Sequence, residues 1–275
     1  MIFTYRFYDA LCKKLATGGR VSIPARELTG GTPAPALVLK HDVETAPKRA
    51  LRLAKIEKKY GHRASYYVQG YLLTEKNLPL FSEIAALGHE VSYHYDCLDA
   101  AHGDLDAAIT IFDENKTRFE AAGFPLSTVC QHGNPVAERV GYTSNRDFFR
   151  SEKVCARYPG LSDIMVNYSK AHGVSFDYFS DAGQRFSKIY DPENNDRVPS
   201  EEKNIVYQNE KELLSALTDT PAIISTHPHR YRSSAFLAVL HRALFFCLRA
   251  VAKLLSKIPL FRRMMSRFYF LAKKI

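Results

Sequence analysis

From residue 36 to residue 131, short apolar segments alternate with longer amphipathic ones, which restricts the chain to a parallel sheet wrapped by helices. A strand is expected over 36–41, then a helix over 46–60 stopped by Gly61. Residues 63–69 are β-rich, 80–87 read as a helix ended by Gly88, and 89–94 are β-rich again. A long amphipathic helix over 104–122 ends at Gly123, and 127–131 supplies a fourth strand. A helix over 5–17 and a loop over 26–35 precede this series. Beyond it the pattern loosens: strands are expected near 164–168 and 174–179, a helix over 211–217, and a buried strand over 222–225. At 275 residues and 46% hydrophobic, the chain can bury one large core. The expected architecture is an α/β fold with the sheet rolled into a barrel over 36–232, residues 1–35 packed on it, and 233–275 as a separate tail.

The strands end in chemistry. Leu37-Val38-Leu39-Lys40-His41-Asp42-Val43-Glu44 runs from an apolar strand into ligand-type residues, and so does Gly88-His89-Glu90-Val91-Ser92-Tyr93-His94-Tyr95-Asp96. Side chains two apart on a strand share a face, so Asp42 and Glu44 project together, a pairing that suits one metal ligand and one proton acceptor. The plainer alternative is that one of them caps the helix over 46–60. His94 is a candidate ligand for a divalent ion, and His89, near the start of its strand, reads as structural. Cys130-Gln131-His132-Gly133-Asn134-Pro135 follows the fourth strand, with Gly133 and Pro135 implying a fixed turn around His132. His132 then serves as a metal ligand, as a donor to a substrate carbonyl, or in the structure alone. Ser225-Thr226-His227-Pro228-His229-Arg230 follows a late strand; His227 can hold and release a proton there or merely cap the strand, with His229 in reserve.

These four segments, in this order over residues 36–230, resemble motifs of the polysaccharide deacetylase superfamily (the NodB-homology fold). The match is to a branch reading His-Asp-Val-Asp, Tyr-His-Tyr-Glu and His-Gly-Ser-Pro. The resemblance implies a deformed (β/α) barrel of that type with Asp42 as catalytic base, Glu44 and His94 as metal ligands, and His227 as general acid. Two departures stand out. The family mostly has Asp where this chain has Glu44, and the second histidine of its His-x-x-x-His pair is here Leu98. His132 is the replacement candidate for the third ligand. Tyr178-Phe179-Ser180-Asp181-Ala182-Gly183-Gln184-Arg185 resembles a further branch element, so Asp181 and Arg185 are expected to orient the base or the acid, or to form a surface turn. His41, Tyr93, Asn134 and His229 are expected on the substrate side of the site.

The formal charge of +9 is confined to the tail. Residues 231–275 contain ten Lys or Arg and no Asp or Glu, leaving 28 basic against 29 acidic residues elsewhere. Arg242, Arg249, Lys253 and Lys257 recur on one side of a helix and Leu244, Leu248, Val251 and Leu255 on another; Pro259 interrupts, and 260–275 repeats the mixture with Arg262, Arg263, Arg267, Lys273 and Lys274. This is the pattern of a helix lying on an anionic membrane surface; the alternatives are packing on the barrel or, with less support from the body of the chain, nucleic-acid binding. Five cysteines without a C-x-x-C, and an N-terminus that reaches Asp9 before any apolar core, set the expectation of a cytoplasmic protein, peripheral on the inner face of the membrane. No Gly-rich phosphate loop, Gly-x-Ser-x-Gly elbow or dinucleotide fingerprint is present.

The resulting functional expectation is a hydrolase that removes an N-acyl group, acetyl first, from an amino sugar, using a divalent metal such as Zn2+. The substrate is expected to be a glycan or a lipid-linked sugar. Two rivals remain: a metal-independent C–N hydrolase of the same fold, and an inactive barrel that binds glycan at the membrane.

Overall fold

The computed structural model describes residues 2–134, 137–197 and 204–255. Helix α1 (Tyr5–Thr17) starts at Thr4, whose hydroxyl accepts from the Phe7 N–H, and buries Tyr8, Leu11, Cys12 and Leu15 at helical spacing. Then β1 (Leu37–Val43), α2 (Pro47–Lys59), β2 (Ala64–Val68), α3 (Leu78–Ala86), β3 (Glu90–Tyr95), the single turn α4 (Cys97–Ala100), α5 (Leu105–Ala121) and β4 (Thr128–Gln131) follow in alternation. The Asp104 carboxylate caps α5 by accepting from the Asp106 and Ala107 N–H groups.

The second half is more broken. It contains α6 (Arg146–Arg150), α7 (Glu152–Arg157), β5 (Ser162–Asp163), α8 (Tyr168–His172), β6 (Asp177–Ser180), β7 (Phe186–Ile189), β8 (Ile205–Tyr207), α9 (Glu210–Ser215), β9 (Ala222–Thr226) and α10 (Ala235–Leu255). The strand expected at 164–168 is instead the two-residue β5 followed by a turn. Asp163 ends it: its carboxylate accepts from the Met165 N–H at 2.6 Å and pulls the chain out of the ladder.

One nine-stranded sheet results, in the order β5-β4-β3-β2-β1-β9-β6-β7-β8. Pairing is parallel from β5 to β6, and the last two strands, β7 and the edge strand β8, are antiparallel. The sheet is curled into a deformed barrel. Inward-facing Val38, Tyr67, Cys130, Tyr178 and Ile223, from five different strands, meet in a single buried cluster with Ile164. The Tyr67 hydroxyl reaches the Thr128 hydroxyl at 2.8 Å, across the intervening β3. A loop segment with Ala25 and Leu28 closes the floor, fastened by the Tyr168 hydroxyl, which donates to both their carbonyls.

Outside the barrel, Leu37, Leu39 and Val43 of β1 alternate with the inward residues and join the larger core under the helices. Its densest part is aromatic: Phe112 of α5 packs against Tyr93, Tyr95, Phe148, Phe149 and Tyr158, with ring centroids 5.0–5.7 Å apart. The first half of the expected tail lies in α10; Lys257 and residues 260–275 fall outside the described residues, as does Pro135.

Candidate active site and metal centre

Parallel strands deliver their C-terminal ends to one mouth, and here those ends carry the ionisable residues. Asp42 points inward from β1, and Glu44 lies one residue beyond the strand. Neither caps α2. Its N-cap is Ala46, in the left-handed region at φ 54°, and that cap makes no side-chain hydrogen bond. Both carboxylates are therefore left to the mouth. Lys40, on the same face as Asp42, donates from Nζ to both Asp42 oxygens at 2.6 and 2.7 Å and to Ser225 Oγ at 3.3 Å. Burial pushes the Asp42 pKa up, but the Lys40 ammonium, helped by His94 and His227, reverses this and holds it at about 2.

His94, at the end of β3, donates from Nδ1 to the Cys130 carbonyl at 3.0 Å. A carbonyl only accepts, so the proton sits on Nδ1 and Nε2 presents its lone pair. That Nε2 is buried, has no hydrogen-bond partner among the described residues, and lies 3.9 Å from Glu44 Oε1. His132 Nε2 lies 3.4 Å from the same oxygen. In a flat sheet, β1 and β4 would stand roughly 14 Å apart; the curl is what lets Glu44 and His132 meet. His132 is fixed from both sides along the backbone: its N–H donates to the Tyr95 carbonyl at 2.7 Å, and its carbonyl accepts from Asn145 Nδ2 at 2.9 Å. Asn145 is itself held by Asp99, which also takes a two-pronged bond from Arg139.

Donor atoms of Glu44, His94 and His132 all lie within 4.8 Å of one another. Two imidazoles and a carboxylate, with a buried nitrogen lone pair aimed at the carboxylate, fit a divalent ion of the zinc type. Asp42, His94 and Cys130 satisfy the same distance. That deeper trio suits a cation poorly, because the Lys40 ammonium already neutralises Asp42 and burial pushes the Cys130 thiol up. Leu98 is buried in the outer core on α4.

His227 follows β9. Its Nδ1 donates to Asp181 Oδ1 at 2.6 Å, and its backbone N–H donates to Asp181 Oδ2 at 3.0 Å. Nε2 then faces the mouth, 3.8 Å from both Asp42 Oδ2 and Glu44 Oε1. Asp181 is fully buried; burial raises its pKa, but Arg230 first and His227 second bring it below the ordinary carboxylate value. His229 stands beside His227 with ring centroids 5.7 Å apart, and burial, then Arg230, lower its pKa to about 3, so it is neutral.

Three expected site residues are displaced. His41 and Tyr93 occupy strand positions of opposite parity to Asp42 and His94, so they face the helices and cannot line a substrate. His41 donates from Nε2 to buried Glu57 at 2.6 Å, and its Nδ1 lies 2.7 Å from Thr226 Oγ1; Tyr93 packs on Phe112 and Phe119. Arg185 is exposed, and the guanidinium that meets Asp181, at 2.6 Å, belongs to Arg230. Asn134 is half-buried near the mouth, and its carbonyl accepts from Arg139 at 3.0 Å. His89 is structural: Nδ1 accepts from the Ala64 N–H and Nε2 donates to the Ala54 carbonyl.

The sequence reading missed Lys40, Arg230 and Asn145. Parity signals Lys40, two residues before Asp42; spacing signals Arg230, three residues after His227 in a short helical turn. No local pattern signals Asn145.

No protein-family model and no curated protein matches the sequence. Among solved structures, the chain is similar to the catalytic domain of a peptidoglycan N-acetylglucosamine deacetylase from Eubacterium rectale, with 15% identity and a TM-score of 0.47, covering 79% of this chain and 86% of that one. It is similar to a CE4 family pseudoenzyme from Bacillus anthracis, with 13% identity and a TM-score of 0.41, covering 78% of this chain and 60% of that one. It is also similar to a family 4 carbohydrate esterase from Streptomyces lividans, with 17% identity and a TM-score of 0.40, covering 78% of this chain and 86% of that one.

Proposed function

We propose that the chain is a hydrolase of polysaccharide-deacetylase type that removes an N-acyl group, acetyl first, from an amino sugar. The observation that carries this reading is the convergence of Glu44, His94 and His132 with Asp42 and the Asp181-held His227 at one mouth. Glu44, His94 and His132 would hold a divalent ion, which would supply Lewis-acid polarisation of the acyl carbonyl.

The protein groups divide the proton work. Asp42 stays ionised, and each of its oxygens keeps a lone pair beyond the one given to Lys40, so it accepts a proton from the attacking water. Lys40 fixes where that carboxylate points. As the imidazolium, His227 carries one proton on Nδ1 toward Asp181 and a second on Nε2, and it gives the Nε2 proton to the departing nitrogen as the C–N bond breaks. Asp181 stabilises the charged ring, and Arg230 keeps Asp181 ionised. These side chains address the acylated nitrogen only; the lipid linkage expected from the tail concerns α10.

One observation favours the inactive-barrel reading: Lys40 grips both oxygens of the expected base. Acetate release from N-acetylglucosamine oligomers, measured after loading with zinc, cobalt, nickel or manganese, separates the two. Release that disappears in Asp42→Asn and His227→Ala supports the hydrolase. Tight oligomer binding without release, unchanged by those substitutions, supports the inactive barrel.

A further inference from the structure

Helix α10 packs through one narrow side and leaves the other bare. Ala238 is buried, and His241, Arg242 and Phe245, three or four residues apart, are half-buried. On the opposite side Phe236, Leu240, Leu244 and Leu248 recur every four residues, joined by Leu237 and Val251, and all six are exposed, Phe236 to 74%. An apolar arc of about four turns turned to solvent is not a resting surface for a protein. Yet α10 cannot cross a bilayer: among the described residues no helix is long and apolar enough to do so.

Charge selects what covers the arc. Arg242 and Arg249 lie on the packed side, away from the arc, but the segment as a whole is cationic: 231–275 contain ten Lys or Arg and no acidic residue. A second copy of the tail brings like charge to like charge; an anionic lipid surface brings the opposite. The helix also borders the site. Gln184 Nε2 lies 3.5 Å from His241 Nδ1, and a methyl group placed on Gly183 would come within 3.9 Å of the Arg249 guanidinium. Gly183 and Gln184 continue the turn that begins at Asp181, the residue holding His227.

We propose that α10 is an interfacial helix whose bare apolar arc inserts in plane into an anionic membrane and sets the mouth of the site against the lipid surface, so that the substrate is an amino sugar carried on a lipid. The substrate half rests on the hydrolase reading; the docking half does not. An in-plane helix within a strongly basic segment gains from both apolar insertion and attraction to anionic headgroups.

The test is flotation of the full chain with vesicles of phosphatidylcholine, alone or with about one third phosphatidylglycerol, at about 0.1 M and 0.5 M salt. The full chain is expected to float with the anionic vesicles at low salt and to bind neutral vesicles at least about tenfold less. The triple variant Phe236→Glu, Leu240→Glu, Leu244→Glu should lose at least about tenfold of the binding while melting like the wild type. Should that variant fail to fold, the single substitution Leu244→Glu, at the centre of the arc, is expected to lose binding in the same direction. Glu44→Ala should float like the wild type. Failure of the wild type to float overturns the proposal. So does undiminished binding by a folded triple variant, or a wild-type dimer that the triple variant splits. For the substrate half, hydrolysis of a vesicle-anchored N-acetylglucosaminyl lipid should slow in the triple variant, with hydrolysis of the free sugar unchanged. Equal slowing on both overturns that half. No hydrolysis of either by the wild type, with flotation intact, overturns the hydrolase reading and the substrate half with it, leaving the docking half standing.

Discussion

Asp181 holds His227 at two atoms, the ring through Oδ1 at 2.6 Å and the backbone N–H through Oδ2 at 3.0 Å. One carboxylate therefore sets both the place of the residue and the tautomer of its ring. Asp181→Asn keeps the size but offers only one acceptor oxygen, and it can reverse the tautomer. We expect kcat to fall about 10²–10⁴-fold with KM little changed. Steady-state kinetics on an N-acetylated oligosaccharide checks this; a loss confined to KM would assign Asp181 to binding instead.

The second ring depends on a quieter residue. Asn145 donates to the His132 carbonyl and is pinned by Asp99. Asn145→Ala should weaken metal affinity by about 10–100-fold, the range for partners that orient a ligand, without changing the number of ions bound at saturation. Zinc titration by calorimetry reads both quantities. An unchanged affinity would show that His132 needs no such support.

Glu57 predicts an acid limb of stability. Buried outside the barrel, it accepts from His41, Tyr8 and Tyr66; burial pushes its pKa up, but His41 foremost brings it to about 2. A carboxylate depressed below its unfolded value of about 4.3 stabilises the fold above that pH, and the contribution is lost as pH falls from about 4 through about 2. The size is on the order of 3 kcal/mol. Urea unfolding at a series of pH values should show wild type and Glu57→Gln far apart at pH 6 and converging toward pH 3. A gap independent of pH would remove Glu57 as its source.

Phe112 touches five other rings under the sheet. Phe112→Ala should cost about 3–5 kcal/mol of stability, from lost burial and the cavity left behind. Because the ring lies on the outer face, the substitution should leave KM near the wild-type value in whatever fraction stays folded. Denaturant melts and kinetics together test this.

Much of the site was legible because β1, β3, β4 and β9 are short and largely apolar, and the site's ionisable residues fall within one position of their C-terminal ends. Parity was the neglected part. Counting by twos from Asp42 places Lys40 inward and His41 outward, and the structure has both so. A lysine inside a strand reads as solvent-facing until its carboxylate partner is known. Arg230 rather than Arg185 meets Asp181 because contact across 49 residues is decided by where β6 and β9 pair, which no local pattern encodes. The strands β7 and β8 escaped notice because strands of three or four residues carry too little alternation to stand out.

The central claim is that Glu44, His94 and His132 form one metal centre, and metal content measures it most directly. Protein incubated with zinc and desalted should carry close to one ion per chain by elemental analysis, and Glu44→Ala, His94→Ala and His132→Ala should each carry far less while remaining folded. Wild type that takes up no ion, or a folded triple variant that retains it, would contradict the account.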